Sequence, residues 1–287
     1  MHSHFLPISL IAAAVVTTAI AAPPRAVAPA DARAESLFDG KTLTGWSGLP
    51  SHWTVRDGAI TGYTTAANPI QQNTFLVWTN GTLRDFELHL KYRMVGGNSG
   101  VQYRSQLMDP AGFVVGGYQA DIDSSPRYSG ILYEERGRGI LCERGQRTLV
   151  KDTGGKTEVK VVGTIGTPEA LQKFIHPEGW NDYTIVAQGN QVMHFINGRL
   201  MSDCVDLGGK GAREGILALQ IHTGPPMMVQ FKDLQLYRLP DAPAETGLPA
   251  TVARPSAAKP ATAPATGDTG TSGTPNVLKA KTLTGNH

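Results

Sequence analysis

The residues best equipped for chemistry fall within 98–139 of this 287-residue chain. NSGVQYRS (98–105), GYQADID (117–123) and SGILYEERGRG (129–139) each read as a short strand followed by a turn. Polar residues recur at every second position: Gln102 and Arg104 in the first run, and Gln119, Asp121 and Asp123 in the second. A period of two sends alternate side chains to opposite sides of a sheet. One face is then apolar and packed, while the other carries Gln102, Arg104, Gln119 and Asp121. That density of amide, acid and guanidinium groups suits a ligand with many hydroxyls; a solvated outer face is the plainer reading of the same pattern. In GILALQIHT (215–223), Leu217, Leu219 and Ile221 share one face and Gln220 and His222 the other, so these two join the polar set. The titratable candidates for acid–base work are Asp121, Glu134, Glu135 and His222. Glu134 and Glu135 are neighbours on one strand, so at most one faces the site, and Glu134 is the expectation. Tyr133 and Trp180 are candidates to stack on a flat ligand face, with plain core packing the alternative for Trp180.

The rest of the chain must position these groups. Asp57-Gly58, Gly189-Asn190 and Asn197-Gly198 stand between alternating runs and mark tight hairpins. FELHLKYRM (86–94) alternates cleanly, with Phe86, Leu88, Leu90, Tyr92 and Met94 on one face. Thr167-Pro168-Glu169 has the form of an N-cap followed by Pro in the first turn, so 168–175 is expected to be a short helix. About a dozen strands and one short helix argue an all-β antiparallel sandwich or jelly roll, in which one curved sheet offers a groove. The segment 136–147, with Arg136, Arg138, Arg144 and Arg147, is expected to be a mobile basic loop near the groove mouth.

The apolar run 5–21 lacks charge and ends in Ala19-Ile20-Ala21, which predicts a signal peptide over 1–22 and a periplasmic or secreted protein, with no membrane span after cleavage. A flexible Pro/Ala-rich linker is expected at 23–34 and a disordered Pro/Ala/Thr/Gly-rich tail at 240–287, leaving 35–239 as one domain. The net charge of +2 gives no field for nucleic acid. Cys142 and Cys204 lack metal-site spacing, and an exported chain permits but does not require their pairing.

Several stretches together resemble the 3-keto-disaccharide hydrolase domain family, a former domain of unknown function with a concanavalin-like jelly roll. They are SLFDGKTLTGW (36–46), WTVRDGAITG (53–62), DFELHLKYRM (85–94), GNSGVQYRS (97–105), GYQAD (117–121), SGILYEERGRGIL (129–141), WNDYTIVAQGNQVMHFINGR (180–199) and GILALQIHTGPPMMVQFKDLQLYRL (215–239). The resemblance implies action on a carbohydrate substrate already oxidised to a ketone at C3. Such a ketone acidifies the C2 hydrogen; a base removes it, the C1 substituent leaves by elimination, and water adds to the unsaturated product. On that reading Asp121, His222 and Glu134 are the catalytic candidates. Gln102, Arg104, Gln119, Tyr133, Glu135, Trp180 and Gln220 bind substrate or the enolate oxygen. A divalent metal held by Asp121 and His222 is a further option, without support from spacing. The competing readings are a conventional glycoside hydrolase, which needs two flanking carboxylates, and a non-catalytic carbohydrate-binding module.

Overall fold

The computed structural model describes residues 33–242. The expected signal peptide, the linker up to 32 and the tail beyond 242 lie outside them. Seventeen strands and one helix run in order. The first strands are β1 (Glu35–Ser36), β2 (Trp46–Ser47), β3 (Trp53–Arg56), β4 (Ala59–Tyr63), β5 (Thr74–Trp78) and β6 (Phe86–Val95). The central ones are β7 (Asn98–Asp109), β8 (Val114–Asp123), β9 (Leu132–Glu135) and β10 (Gly139–Cys142). Then come β11 (Gln146–Thr153), β12 (Lys156–Thr164) and α1 (Pro168–Gln172). The last are β13 (Asn181–Gln188), β14 (Gln191–Ile196), β15 (Arg199–Asp206), β16 (Ile216–Ile221) and β17 (Met228–Arg238).

The strands form two sheets, as an all-β sandwich requires. The larger has the order β12-β11-β15-β14-β13-β6-β17-β4-β3, with β1 added beside β17; the smaller is β10-β9-β8-β7-β16-β5-β2. Every pair is antiparallel except β11 with β15. The hairpin turns follow their dipeptides: Asp57 and Gly58 have φ of 52° and 70°, and Asn197 and Gly198 have 49° and 73°, the positive values that type I′ turns require. Thr167 caps α1 through Ala170 N–H, with Pro168 in the first turn.

The main core lies between the sheets. Leu88, Leu90 and Tyr92 of β6 meet Val101 and Tyr103 of β7, Tyr118, Ala120 and Ile122 of β8, and Leu217, Leu219 and Ile221 of β16. Burying side chains of this size contributes about 1.5–3 kcal/mol each. Cys142 and Cys204 are both buried free thiols, and burial pushes the Cys142 thiol up to about 11. The expected mobile basic loop at 136–147 is instead ordered structure, comprising β10 and the start of β11. Arg138 lies between Glu134 (2.6 Å) and Asp206 (2.6 Å). Arg144 donates to the carbonyls of Ser129, Pro126 and Pro168. Arg138 and Arg144 are consumed by internal partners, while Arg147 pairs with Asp203 at 3.4 Å and Arg136 donates to Gln72 Oε1 at 3.3 Å.

Candidate functional site

The smaller sheet turns one face to the core and the other outward. Its outward rows follow from the register. Gln102 stands opposite Gln119, Gln119 opposite Tyr133, and Ala218 opposite Gln102. In the next row Gly100 stands opposite Asp121. Glu135 shares the face of Tyr133, two residues on. One end of this face is closed by a small apolar cluster of Phe75, Val77, Val115 and Ala218, against which Phe113 packs. The polar groups occupy the rest.

Asp121 is the centre of this arrangement. Its carboxylate accepts from Asn98 Nδ2 at 2.7 Å and from Gln119 Nε2 at 3.4 Å. Below it, the Tyr183 hydroxyl donates to the Asp121 carbonyl at 3.2 Å and so fixes the strand from the core side. Burial pushes the Asp121 carboxyl up to about 8; the bond from Asn98 works against that rise, while the nearby Asp123 charge adds to it. Gly100 makes room for the network, because a Cβ there would stand 2.5 Å from Gln119 Cγ. The Gln119 side chain thus lies across β7, and its amide bonds that of Gln102 at 2.7 Å. Tyr133 has its phenol raised first by burial, then by the Glu135 and Asp121 carboxylates, which places it in the field of both.

Gln220 lies on the same face of β16, fully buried, and neither its Oε1 nor its Nε2 has a protein partner. An unpartnered buried amide costs about 1–3 kcal/mol, so this side chain is kept at the expense of stability. The segment between β4 and β5 ties itself to both sides of the face. Asn73 Nδ2 donates to Glu135 Oε1 at 3.2 Å, the Thr223 amide donates to Asn73 Oδ1 at 2.9 Å, and Thr223 Oγ1 donates to the Ile70 carbonyl at 3.2 Å. His222 follows the end of β16, half-buried, with Nδ1 2.6 Å from the Thr223 carbonyl. No hydrogen bond or ion pair among the described residues joins it to Asp121.

Gln102, Gln119, Asp121, Tyr133, Glu135 and Gln220 are therefore brought to one face, with His222 at its margin. Three expectations are corrected. Arg104 does not line the face: at φ 47° it sits in a bulge where the β7–β8 register slips, and its side chain turns away to Asp85. There Nη2 meets Asp85 Oδ1 at 2.7 Å, and the other nitrogens donate to the carbonyls of Arg84, Gly189 and Ala212. Gly215 presses on the bulge so closely that a Cβ would stand 2.4 Å from the Arg104 carbonyl carbon. A bulge re-aims a side chain, which strict alternation cannot anticipate. Glu134 points to the opposite side of β9 and holds Arg138 through both carboxylate oxygens, so Glu135 is the acid that faces the site. Trp180 belongs with the larger sheet, where Arg93 and Lys232 lie 4.9 Å and 4.2 Å from its ring centroid.

Two further residues join the site. Asn98 was readable, since it precedes Gly100 and Gln102 at the same alternation. Asn73 left no signal, because its bond to Glu135 joins positions 62 residues apart. Among the described residues no three His, Cys, Asp or Glu side chains gather as a metal site, so Asp121 and His222 lack a third such ligand. No helix among the described residues is long and apolar enough to cross a membrane.

Comparison with known proteins sets these observations in context. A stretch of 79 residues is 34% identical to the 3-keto-disaccharide hydrolase of Bacteroides thetaiotaomicron; it covers 25% of this chain and 27% of that protein, about a quarter of each. A crystal structure from Parabacteroides distasonis, assigned as a glycosyl hydrolase, superposes with a TM-score of 0.47 at 18% identity, over 72% of this chain and 100% of that one. A carbohydrate-binding module of Bacillus subtilis does so with a TM-score of 0.44 at 15% identity, over 67% and 95%. Residues 33–237 match the 3-keto-alpha-glucoside-1,2-lyase-like domain, and with that match spanning most of its length the chain belongs to this family.

Proposed function

We propose that this carbohydrate-acting hydrolase cleaves 3-keto-glycosides, with Asp121 as the base that removes the C2 proton. The observation that carries the reading is the Asp121 carboxyl itself. It stands on a face rich in amides, and its burial lifts it to about 8. A general base is most effective when its pKa lies near the working pH.

The chemistry divides as follows. Asp121 takes the C2 proton, and the C2–H electron pair moves into the C2–C3 bond as the C3 oxygen gains charge. The amide N–H groups of Gln119 and Gln220 are the donors for that oxygen. The Gln220 amide is held ready in a buried position, so its alignment costs no reorganisation during the reaction. The enolate then collapses: the C3 carbonyl re-forms, the C2–C3 double-bond pair shifts to make a C1–C2 double bond, and the C1–O bond breaks with its electrons passing to the leaving oxygen. Glu135, with the Tyr133 phenol beside it, supplies the proton for that oxygen. Water finally adds hydroxyl to C1 and hydrogen to C2. General acid and base steps contribute roughly 10²–10⁴-fold each. We place this activity outside the cytoplasm, supported by the apolar run 5–21 that ends in Ala-Ile-Ala.

The test is to incubate the purified protein in heavy water with a glycoside and, separately, with its 3-keto derivative. The expected result is turnover of the keto sugar alone, with deuterium at C2 of the released sugar. Equal turnover of the unoxidised glycoside, or a C2 without deuterium, would replace elimination with conventional hydrolysis.

A further inference from the structure

Strand β12 closes one edge of the larger sheet. It pairs with β11 on one side, and among the described strands nothing pairs with its other side. The β11–β12 turn is Gly154-Gly155, both at positive φ (58° and 77°), so this is a two-residue hairpin whose closing pair, Thr153 with Lys156, is hydrogen-bonded. Antiparallel pairing alternates from there. The backbone groups of Lys156, Glu158 and Lys160 are directed to β11. Those of Thr157, Val159 and Val161 are directed to the open edge.

The side chains at this edge are unusual for a solvated boundary. Val159 stands opposite Val150, and Val161 opposite Thr148. Val150 and Thr148 are buried, whereas Val159 and Val161 are 41% and 50% exposed. The other side of β12 carries Lys156, Glu158 and Lys160, all exposed, in alternating sign. Glu158 faces Lys151 across the hairpin and accepts from Thr153 Oγ1 at 3.1 Å. Lysines alone protect an edge against pairing. A Lys-Glu-Lys series does not protect it against a copy of itself.

We propose that β12 pairs antiparallel with β12 of a second copy of this chain, about a two-fold axis through Val159. Such an interface is isologous, the commonest kind in homodimers. In that register Val159 meets the partner's Val159 and Thr157 meets the partner's Val161. All of these residues present outward backbone groups, so each exchanges both its N–H and its C=O bonds. Glu158 then stands opposite the partner's Lys160, and Lys160 opposite the partner's Glu158. These are the closely spaced non-hydrogen-bonded positions, where cross-strand charge pairs interact best. Neighbouring registers lose one feature or the other. An axis through Glu158 sets Glu158 against the partner's Glu158 and Lys156 against the partner's Lys160, and an axis through Lys160 sets Lys160 against the partner's Lys160, so like charges meet. An axis through Val161 sets Lys160 against the partner's Val162. An axis through Thr157 drives Val159 into the partner's turn at Gly155.

The experiment is sedimentation velocity of the full chain across a concentration series. The expected result is a concentration-dependent dimer. Lys160→Glu or Glu158→Lys alone sets like charges opposite each other twice and weakens dimerisation by about tenfold or more. The double exchange, Glu158→Lys with Lys160→Glu, restores the pairs in reversed polarity and recovers the dimer. These side chains are exposed, so the folded chain itself is expected to tolerate all three variants, and thermal melting checks this. A monomer at every concentration, a dimer that both single reversals leave intact, or a double exchange without recovery overturns the proposal.

Discussion

Asn98 donates its side-chain amide to Asp121 Oδ1 at 2.7 Å, from the strand that pairs with the one bearing the acid. This bond favours the ionised carboxylate and so opposes the effect of burial. Its removal in Asn98→Ala is expected to raise the Asp121 pKa further. The acid limb of the kcat/KM profile should then move to higher pH, by roughly one unit, equivalent to about 1.4 kcal/mol. An unmoved limb would show that another group governs it.

The same elevation predicts how stability depends on pH. Between its unfolded value, about 3.9, and its folded value of about 8, Asp121 holds a proton in the folded state that the unfolded chain has released. Folding is favoured at the low end of this window, and the contribution is lost as pH rises towards 8, with a slope of at most about 1.4 kcal/mol per unit. Asp121→Asn removes that slope. Denaturant titrations at several pH values should show the variant gaining on the wild type between pH 5 and pH 8, while its activity falls by about 10²–10⁴-fold.

Gln220 is buried with neither amide atom bonded to protein. Gln220→Leu removes that unmet demand, so stability is expected to hold or rise by about 1–3 kcal/mol. If the amide donates to the enolate oxygen, activity on the keto sugar falls at the same time by roughly 10²–10³-fold. Loss of stability without loss of activity would make Gln220 an ordinary core residue.

Arg104 and Asp85 form a buried pair whose partners are all internal. Arg104→Ala leaves the Asp85 carboxylate without its charge partner, which costs about 3–5 kcal/mol. Urea unfolding should show that loss, and the KM of whatever protein remains folded should be unchanged. A selective rise in KM would return Arg104 to the substrate side.

Glu134 and Glu135 separate two roles on adjacent positions. Glu135→Gln should lower kcat by about 10²-fold with little change in stability. Glu134→Gln weakens the contact to buried Arg138 and should cost about 1–3 kcal/mol, with a smaller effect on kcat. Parallel melting curves and steady-state kinetics on the two variants decide between these assignments.

The sequence alone determined what depends on local periodicity. The Asp-Gly and Asn-Gly turns, the alternation of β6, the capped helix at Thr167 and the shared face of Gln119, Asp121 and Gln220 all follow from neighbours within a few residues, where backbone sterics and side-chain direction set the outcome. What failed were residues whose direction depends on distant contacts. Arg104 obeys alternation in the sequence but sits in a bulge, pressed by Gly215 and drawn to Asp85. The choice between Glu134 and Glu135 rests on the register of β9 against β8 and on Arg138 and Asp206 beyond it. Trp180 stands just before β13, and only sheet order shows that β13 belongs to the larger sheet. Asn73 reaches Glu135 across 62 positions of the chain, a contact that no short stretch of sequence encodes. The elevated Asp121 carboxyl is likewise tertiary, because desolvation is produced by everything packed around the group, whereas the sequence supplies only the acid and its face.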